Sequence, residues 1–140
     1  ISVVFQHTWT TNDNFNGANL NALLASFKDY WNANYANVAR DAAHLWTGKA
    51  AALNQGRAYN AVVCSNPAFA YALSGRIEWN EAKNLITGHE MAHTLGANHA
   101  EAEQSCSGSL MNAVLYVNTP LTFCSFSRSE VTNFVALNGS

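Results

Sequence analysis

Charged residues are scarce in this chain of 140 residues. Lysine and arginine together number 7, aspartate and glutamate 9, and the four types make up only 11% of the sequence, well below the usual quarter. No block of basic residues occurs, and the formal net charge is -2. We therefore do not expect nucleic acid or an anionic membrane as a partner.

Long apolar runs are also lacking. No stretch approaches the roughly 20 residues that a membrane-spanning helix needs. Residues 1–5, Ile-Ser-Val-Val-Phe, are too few for a signal peptide, so a secreted protein would begin here after processing. With 49% hydrophobic residues and neither repeats nor linkers, the chain is expected to form one globular domain over 1–140.

Cysteine is limited to three residues, Cys64, Cys106 and Cys124. Three cysteines allow one disulfide and leave one thiol over. The residues alone permit three pairings.

A long amphipathic helix is the first clear element. It is predicted to start near residues 16–19 and to end near Asn34. The apolar stripe that defines it consists of Leu20, Leu23, Leu24, Phe27 and Trp31.

Shorter apolar runs between turn residues predict the other elements. These are a strand over 1–7, extended structure over 37–47, strands over 58–64 and 69–73, a central helix from about Asn80 with Glu81 in its first turn, and a closing helix that starts with a capping box over 127–130. Elements in this order predict an α/β (α+β) layer arrangement with a mixed sheet.

The central helix carries the residues that indicate chemistry. His89 and His93 are four residues apart, so both rings lie on one face and can bind the same metal ion. Glu90 lies beside the first histidine and offers a carboxylate that can take a proton from water. Two histidines on a helix could also be unrelated surface residues.

A third histidine completes the pattern. A catalytic zinc site usually has three protein ligands and one open position, and His99 is the candidate for the third. Gly96 stands between, where a residue with positive φ would let the chain leave the helix and return to the metal. The glycine and the third histidine make an accidental match rare. The remaining histidines, His7 and His44, are expected to be structural or surface residues.

Residues 89–99 therefore match HExxHxxGxxH, the zinc signature of the metzincin metallopeptidases. Ser109-Leu110-Met111-Asn112 resembles the methionine turn, or Met-turn, that members of this class carry beneath the metal. The resemblance implies a metzincin-like catalytic domain: a mixed twisted sheet, a long backing helix, a central zinc-binding helix, and a small lower part with the Met-turn and the last helix. We expect an upper part over about 1–96 and a lower part over about 97–140.

Further segments are similar to the adamalysin/reprolysin branch of the metzincins. They are residues 41–48, which end in Leu-Trp-Thr-Gly, residues 56–64, which run from Gly-Arg-Ala-Tyr to Cys64, and residues 123–127, Phe-Cys-Ser-Phe-Ser. The chain departs from the branch in lacking much of the usual N-terminal half. It also lacks a cysteine near its end that could pair with Cys64. By resemblance to relatives with a cysteine pair around the Met-turn, we predict a Cys106–Cys124 disulfide and a free, buried Cys64.

The resemblance implies a secreted zinc endopeptidase with His89, His93 and His99 as ligands and Glu90 as general base. It also implies that substrate pairs with an edge strand above the cleft, for which the 69–74 segment with Ala70, Tyr71 and Ala72 is the candidate. Residues 112–121, with Val114 and Leu115 among them, would form the pocket for the P1′ side chain and favour a hydrophobic one.

One Zn²⁺ is therefore the expected cofactor, and a structural calcium stays open. We expect protein or peptide substrates and a monomer, with an inhibitory pro-segment left open as a further partner. Two alternatives remain: a metzincin-fold binding domain without proteolytic activity, and a zinc hydrolase with a non-peptide substrate. The presence of Glu90 weighs against the first, and the Met-turn against the second.

Overall fold

A long helix, a three-stranded sheet and two further helices make up the fold in a computed structural model that describes residues 2–78 and 83–139. The helices and strands are α1 (Leu20–Asn34), β1 (Ala43–Thr47), β2 (Gly56–Ala58), β3 (Tyr71–Gly75), α2 (Lys83–Thr94) and α3 (Ser125–Asn138). This mixed α and β content confirms the predicted class of fold.

Helix α1 forms where the apolar spacing predicts it. The side chain of Asn19 accepts a hydrogen bond from the Ala22 N–H at 3.0 Å and thereby caps the first turn. The buried face of the helix packs on the sheet, with Phe27 in edge contact with Tyr71 of β3. Its buried residues are Leu23, Leu24, Phe27 and Trp31. The predicted backing helix is confirmed.

The sheet has the order β1-β3-β2. Strand β1 runs parallel to β3, and β2 runs antiparallel to it, so the predicted mixed sheet is confirmed. All five residues of β3 are buried because the strand lies between two neighbours and contacts both α1 and α2. Strand β2 is therefore an edge strand of this sheet.

The predicted strand over 1–7 is wrong for its described residues. Residues 2–9 have no regular secondary structure, and Val3 and Val4 are 76% and 66% exposed. The segment is held by an aromatic contact, since the ring of Phe5 packs edge-on against Trp31. A short apolar run alone does not form a strand without a partner to pair with.

The predicted strand over 58–64 is also wrong, because strand pairing ends at Ala58. The N–H groups of residues 61–63 donate to the carbonyls of His93 and Thr94 at 2.9–3.1 Å. The last carbonyls of a helix have no partner within the helix. This segment supplies those partners to α2 in place of pairing with a sheet.

Of the three cysteines, Cys106 and Cys124 form a disulfide and Cys64 is free, as predicted. The predicted burial of Cys64 is wrong, because its side chain is exposed. Cys64 lies in a turn instead of the predicted 58–64 strand, and it has a φ of 62°.

Of the predicted starts of the last two helices, the structure tests only that of α3. The predicted start of the central helix near Asn80 lies outside the described residues. The predicted capping box over 127–130 is wrong, because α3 already begins at Ser125 and Ser127 is completely buried within it. Among the described ranges, no helix has the length and apolar character needed to cross a membrane.

Candidate metal centre

Helix α2 and the loop after it bring three histidine rings together. His89 and His93 are one turn apart, and their Nε2 atoms are 3.0 Å apart. Gly96 has a φ of 87°, which reverses the chain as glycine readily allows. His99 then returns to the site, with its Nε2 atom 3.2 Å from both other Nε2 atoms. The structure confirms the predicted convergence.

Two of these rings are held by backbone carbonyls. The Nδ1 atom of His89 lies 2.8 Å from the Leu110 carbonyl oxygen, and that of His93 lies 2.7 Å from the Ala97 carbonyl oxygen. A carbonyl can only accept, so each Nδ1 carries the proton and donates. In the neutral ring, Nε2 is then left with a lone pair directed at the other histidines.

The donor set fits a metal ion. Lone pairs that face one another at 3.0 Å repel unless a cation lies between them. Tetrahedral zinc with Zn–N distances near 2.0–2.1 Å places its ligand nitrogens roughly 3.3 Å apart, close to the separations found here. Burial lowers the pKa of His89 to about 4 and also lowers the pKa of His93. Both rings are therefore neutral near pH 7 and available as ligands.

Glu90 is the buried carboxyl group beside this cluster. It is 6% exposed, and burial raises its pKa to about 8, against the opposing effect of the Arg57 guanidinium. A Cβ atom built on Gly56 would lie 2.6 Å from Cγ and Oε1 of Glu90. The edge strand therefore leaves room for this carboxyl group because residue 56 is glycine.

An open cavity of about 560 Å³ gives access to the site. Strand β2 forms one wall, residues 113–115 form another, and the three histidines and Glu90 line the cavity between them. The cavity therefore opens the three histidines to solvent.

The predicted substrate-binding strand is wrong. Ala70, Tyr71 and Ala72 are 0% exposed. Tyr71 and Ala72 lie in β3, the central strand, and Ala70 directly precedes it. They do not line the cavity. The edge strand that lines the cavity is β2, Gly56–Ala58. It has only three paired residues and overlaps the predicted 58–64 strand at Ala58 alone, so the sequence did not identify it.

Val114 and Leu115 line the cavity, as a P1′ wall would. Val114 is 62% exposed, so its side chain is accessible to a ligand. Tyr116 and Leu121 are exposed but do not line it. The hydrophobic P1′ preference stays a prediction.

Met111 lies in the turn that resembles a Met-turn, and it is completely buried. It packs with Ala92, Ala97, Ala100 and Cys106. Its neighbour Leu110 supplies the carbonyl that holds His89, so this turn orients the His89 ring.

Glu101 was not singled out from the sequence. Its carboxylate accepts a hydrogen bond from the Ala113 N–H, and hydrogen bonds from its own backbone N–H and from that of Ala113 lower its pKa. It therefore connects the loop that carries His99 to the start of the 113–115 wall. No sequence pattern pairs residues 12 apart in irregular structure, so only the structure could reveal this contact.

Comparisons with known proteins agree with this geometry. A model of the reprolysin (M12B) family of zinc metalloproteases matches residues 1–140. A comparison with curated proteins gave no significant match. Among the described residues, the three histidines that the structure brings together are the one group that could hold a metal ion. Since the match spans the whole sequence, the chain belongs to the reprolysin (M12B) family of zinc metalloproteases.

Proposed function

We propose that the chain is the catalytic domain of a secreted zinc endopeptidase that hydrolyses internal peptide bonds, with Glu90 as general base. The observation that carries this proposal is the convergence of three Nε2 atoms within 3.2 Å, beside a buried carboxyl group in an open cavity. Membership of the zinc metalloprotease family supports the class of reaction. The positions of the three histidines and Glu90 support the role that we propose for each of them.

His89, His93 and His99 would hold Zn²⁺ through Nε2. Zinc held there would polarise the scissile carbonyl and lower the pKa of a bound water toward about 7. The carbonyls of Leu110 and Ala97 keep the first two rings in the tautomer that binds metal.

Glu90 moves the proton. Its carboxylate takes a proton from the attacking water as the water oxygen bonds to the carbonyl carbon, and it then passes that proton to the leaving amine as the C–N bond breaks. Burial raises the pKa of Glu90 to about 8, so this carboxyl group holds the transferred proton more tightly than an exposed one would. A nearby dication would favour its carboxylate form.

The substrate would lie along β2. An extended peptide can add to an exposed sheet edge through main-chain hydrogen bonds, and β2 is the edge strand that lines the cavity. A side chain that follows the scissile bond would meet Val114 and Leu115, which supports a hydrophobic P1′ preference.

Secretion is supported by the Cys106–Cys124 disulfide, since such bonds persist in oxidising compartments. The reprolysin family is typically extracellular. Protein or peptide substrates follow from the proposed reaction, and the single chain contains all three histidines, so activity should not require a second copy.

Cleavage mapping on a complex peptide library tests this function. We compare the zinc-loaded wild type with Glu90→Ala and with Glu103→Gln, which alters an exposed carboxylate elsewhere. The wild type and Glu103→Gln should cut many peptides, a chelator should stop both, and Glu90→Ala should be slower by about 10²- to 10⁴-fold.

The cut sites also test the specificity, because a hydrophobic P1′ residue should predominate. A preference for basic P1′ residues would contradict that part. The absence of any cuts by the zinc-loaded wild type would contradict the proposal as a whole and favour a binding domain of the same fold. Equal cutting by Glu90→Ala would show that another group takes the proton.

A further inference from the structure

The three histidines of the metal centre are not supported in the same way. The Nδ1 atoms of His89 and His93 each donate to a carbonyl. In the part of the chain that the structure describes, Nδ1 of His99 has no such partner, and the residue is exposed on a loop. The position of this ring must therefore come from the backbone on either side of it.

On one side, the backbone is fixed by the turn at Met111. The N–H of Ala100 donates to the Met111 carbonyl at 2.9 Å, and Ala100 is buried. This contact holds the residue after His99 but leaves the preceding residue to be fixed by other groups.

On the other side, Asn98 is held by both carboxylate oxygens of Glu130. The backbone N–H of Asn98 donates to Oε2 at 3.1 Å, and its side-chain Nδ2 donates to Oε1 at 2.8 Å. The Nδ2 atom of Asn60 donates in turn to Oδ1 of Asn98 at 2.9 Å. Asn98 is thus bound by residues from two other segments of the chain.

Glu130 is well placed to act as the fixed point. It lies within α3, whose Phe134 packs on Gly96, since a Cβ atom built there would meet the Phe134 ring at 3.0–3.2 Å. The disulfide at Cys124 anchors the start of the same helix. The carboxylate is therefore attached to a rigid element that already contacts the end of α2.

We propose that Glu130 is a positioning residue that sets His99 for metal binding by holding Asn98. The proposal rests on the zinc site of the proposed function and adds to it a residue 31 positions beyond the last ligand. Outer groups that orient metal ligands typically change metal affinity by about 10–100-fold when they are removed. Glu130 should have an effect of this size.

The test is the zinc dissociation constant, measured by competition with a chelator. Glu130→Gln keeps the volume but replaces one accepting oxygen with an NH₂ group that faces a donor of Asn98. Asn98→Ala removes the side chain that Glu130 holds. Each should weaken zinc binding about 10–100-fold, whereas Glu103→Gln, which removes an exposed negative charge outside this network, should leave it unchanged.

Repeating the measurement in a His99→Ala variant shows whether Glu130 acts by positioning His99 or through its charge or a general effect on stability. If Glu130 acts through His99, then Glu130→Gln should cause no further loss of zinc affinity once His99 is absent. An effect of charge or of general stability would persist in that background. An equal loss in both backgrounds would therefore overturn the proposal, as would an unchanged affinity in Glu130→Gln.

Circular dichroism of each metal-free variant checks that the variant folds. Asn98→Ala replaces an exposed side chain and gives the same test if Glu130→Gln does not fold. Because zinc binding is measured without a peptide, the result is independent of cleavage. A wild type that binds no zinc would contradict the proposed function itself.

Discussion

The upper part of the molecule (described residues up to 96) and the lower part (residues 97–139) are stabilised differently. The upper part has a core of ten buried residues between α1 and the sheet, rich in aromatic rings. The lower part has one helix, much irregular chain, two smaller clusters shared with α2, and the disulfide. The upper part therefore has the larger buried apolar core, whereas the lower part has smaller buried clusters and a covalent bond.

The candidate metal centre takes residues from both parts. His89, His93 and Glu90 come from a packed helix of the upper part, and His99 comes from a loop of the lower part. Changes to the upper part should therefore unfold the whole domain, while changes to the lower part should act first on His99, the proposed third ligand.

The largest effect is expected from Phe27→Ala in the upper core. Phe27 is 1% exposed, and replacing a buried phenylalanine by alanine typically costs about 3–5 kcal/mol. The free energy of unfolding, measured in urea, should fall by this amount. Phe126→Ala, at a ring 36% exposed on α3, is the control and should cost much less. Equal costs would remove the contrast between the two parts.

Loss of the disulfide should come next. Cys106 and Cys124 are 18 residues apart, and a loop of this size is stabilised by about 3 kcal/mol on the chain-entropy estimate. In the double serine variant, hydrogen exchange should increase in the lower part before the upper. The matched control is Cys64→Ser, which changes an exposed free thiol. Uniform loss of protection over both parts would contradict this division.

A change in β2 should affect Glu90, the proposed general base, without affecting the three histidines. In Gly56→Ala, the new Cβ atom would displace the Glu90 carboxyl group, and a displacement of about 1 Å can cost roughly 10²-fold in rate. Peptide hydrolysis should fall to this extent while the zinc dissociation constant stays unchanged. Ala58→Gly, two residues along the same strand, adds no atom near Glu90. A parallel loss of zinc would show that Gly56 serves the ligands instead.

The smallest effect concerns acid stability and His44. Its Nε2 atom lies 2.9 Å from Ser74 Oγ, and burial lowers its pKa from 6.5 to about 4. Below pH 6.5 the unfolded chain gains a proton that the folded state does not, so stability is lost as the pH falls toward 4. The contribution between pH 7 and pH 5 is about 2 kcal/mol. Urea unfolding of His44→Gln should show a flatter pH dependence than the wild type.

His7→Gln changes an exposed histidine and is the control for that series. Since the zinc ligands are the same in all three proteins, their own titration cancels in the comparison. An identical pH dependence in His44→Gln and the wild type would show that His44 is not the group responsible.

The same contrast explains what the sequence could predict. Local patterns sufficed for α1, whose apolar stripe has helical spacing, and for the histidines of α2, which are one turn apart. Gly96 could be assigned because a reversal there requires a residue that tolerates positive φ. Resemblance to relatives, and not the residues themselves, selected the Cys106–Cys124 pairing.

Tertiary contacts decided the rest. The 61–63 segment looks like a strand, but its N–H groups are taken by the last carbonyls of α2. The order of strands made β3 central and β2 the edge, and three paired residues are too few to give a strand pattern. Asn98 and Glu130 are 32 residues apart, and no local rule connects them.

Zinc K-edge X-ray absorption of the purified protein tests the central claim most directly. The account predicts three imidazole nitrogens at about 2.0–2.1 Å and one oxygen ligand, with one imidazole fewer in His99→Ala. Sulfur in the first coordination shell, or an unchanged spectrum in His99→Ala, would contradict a centre built from two helical histidines and one from the loop.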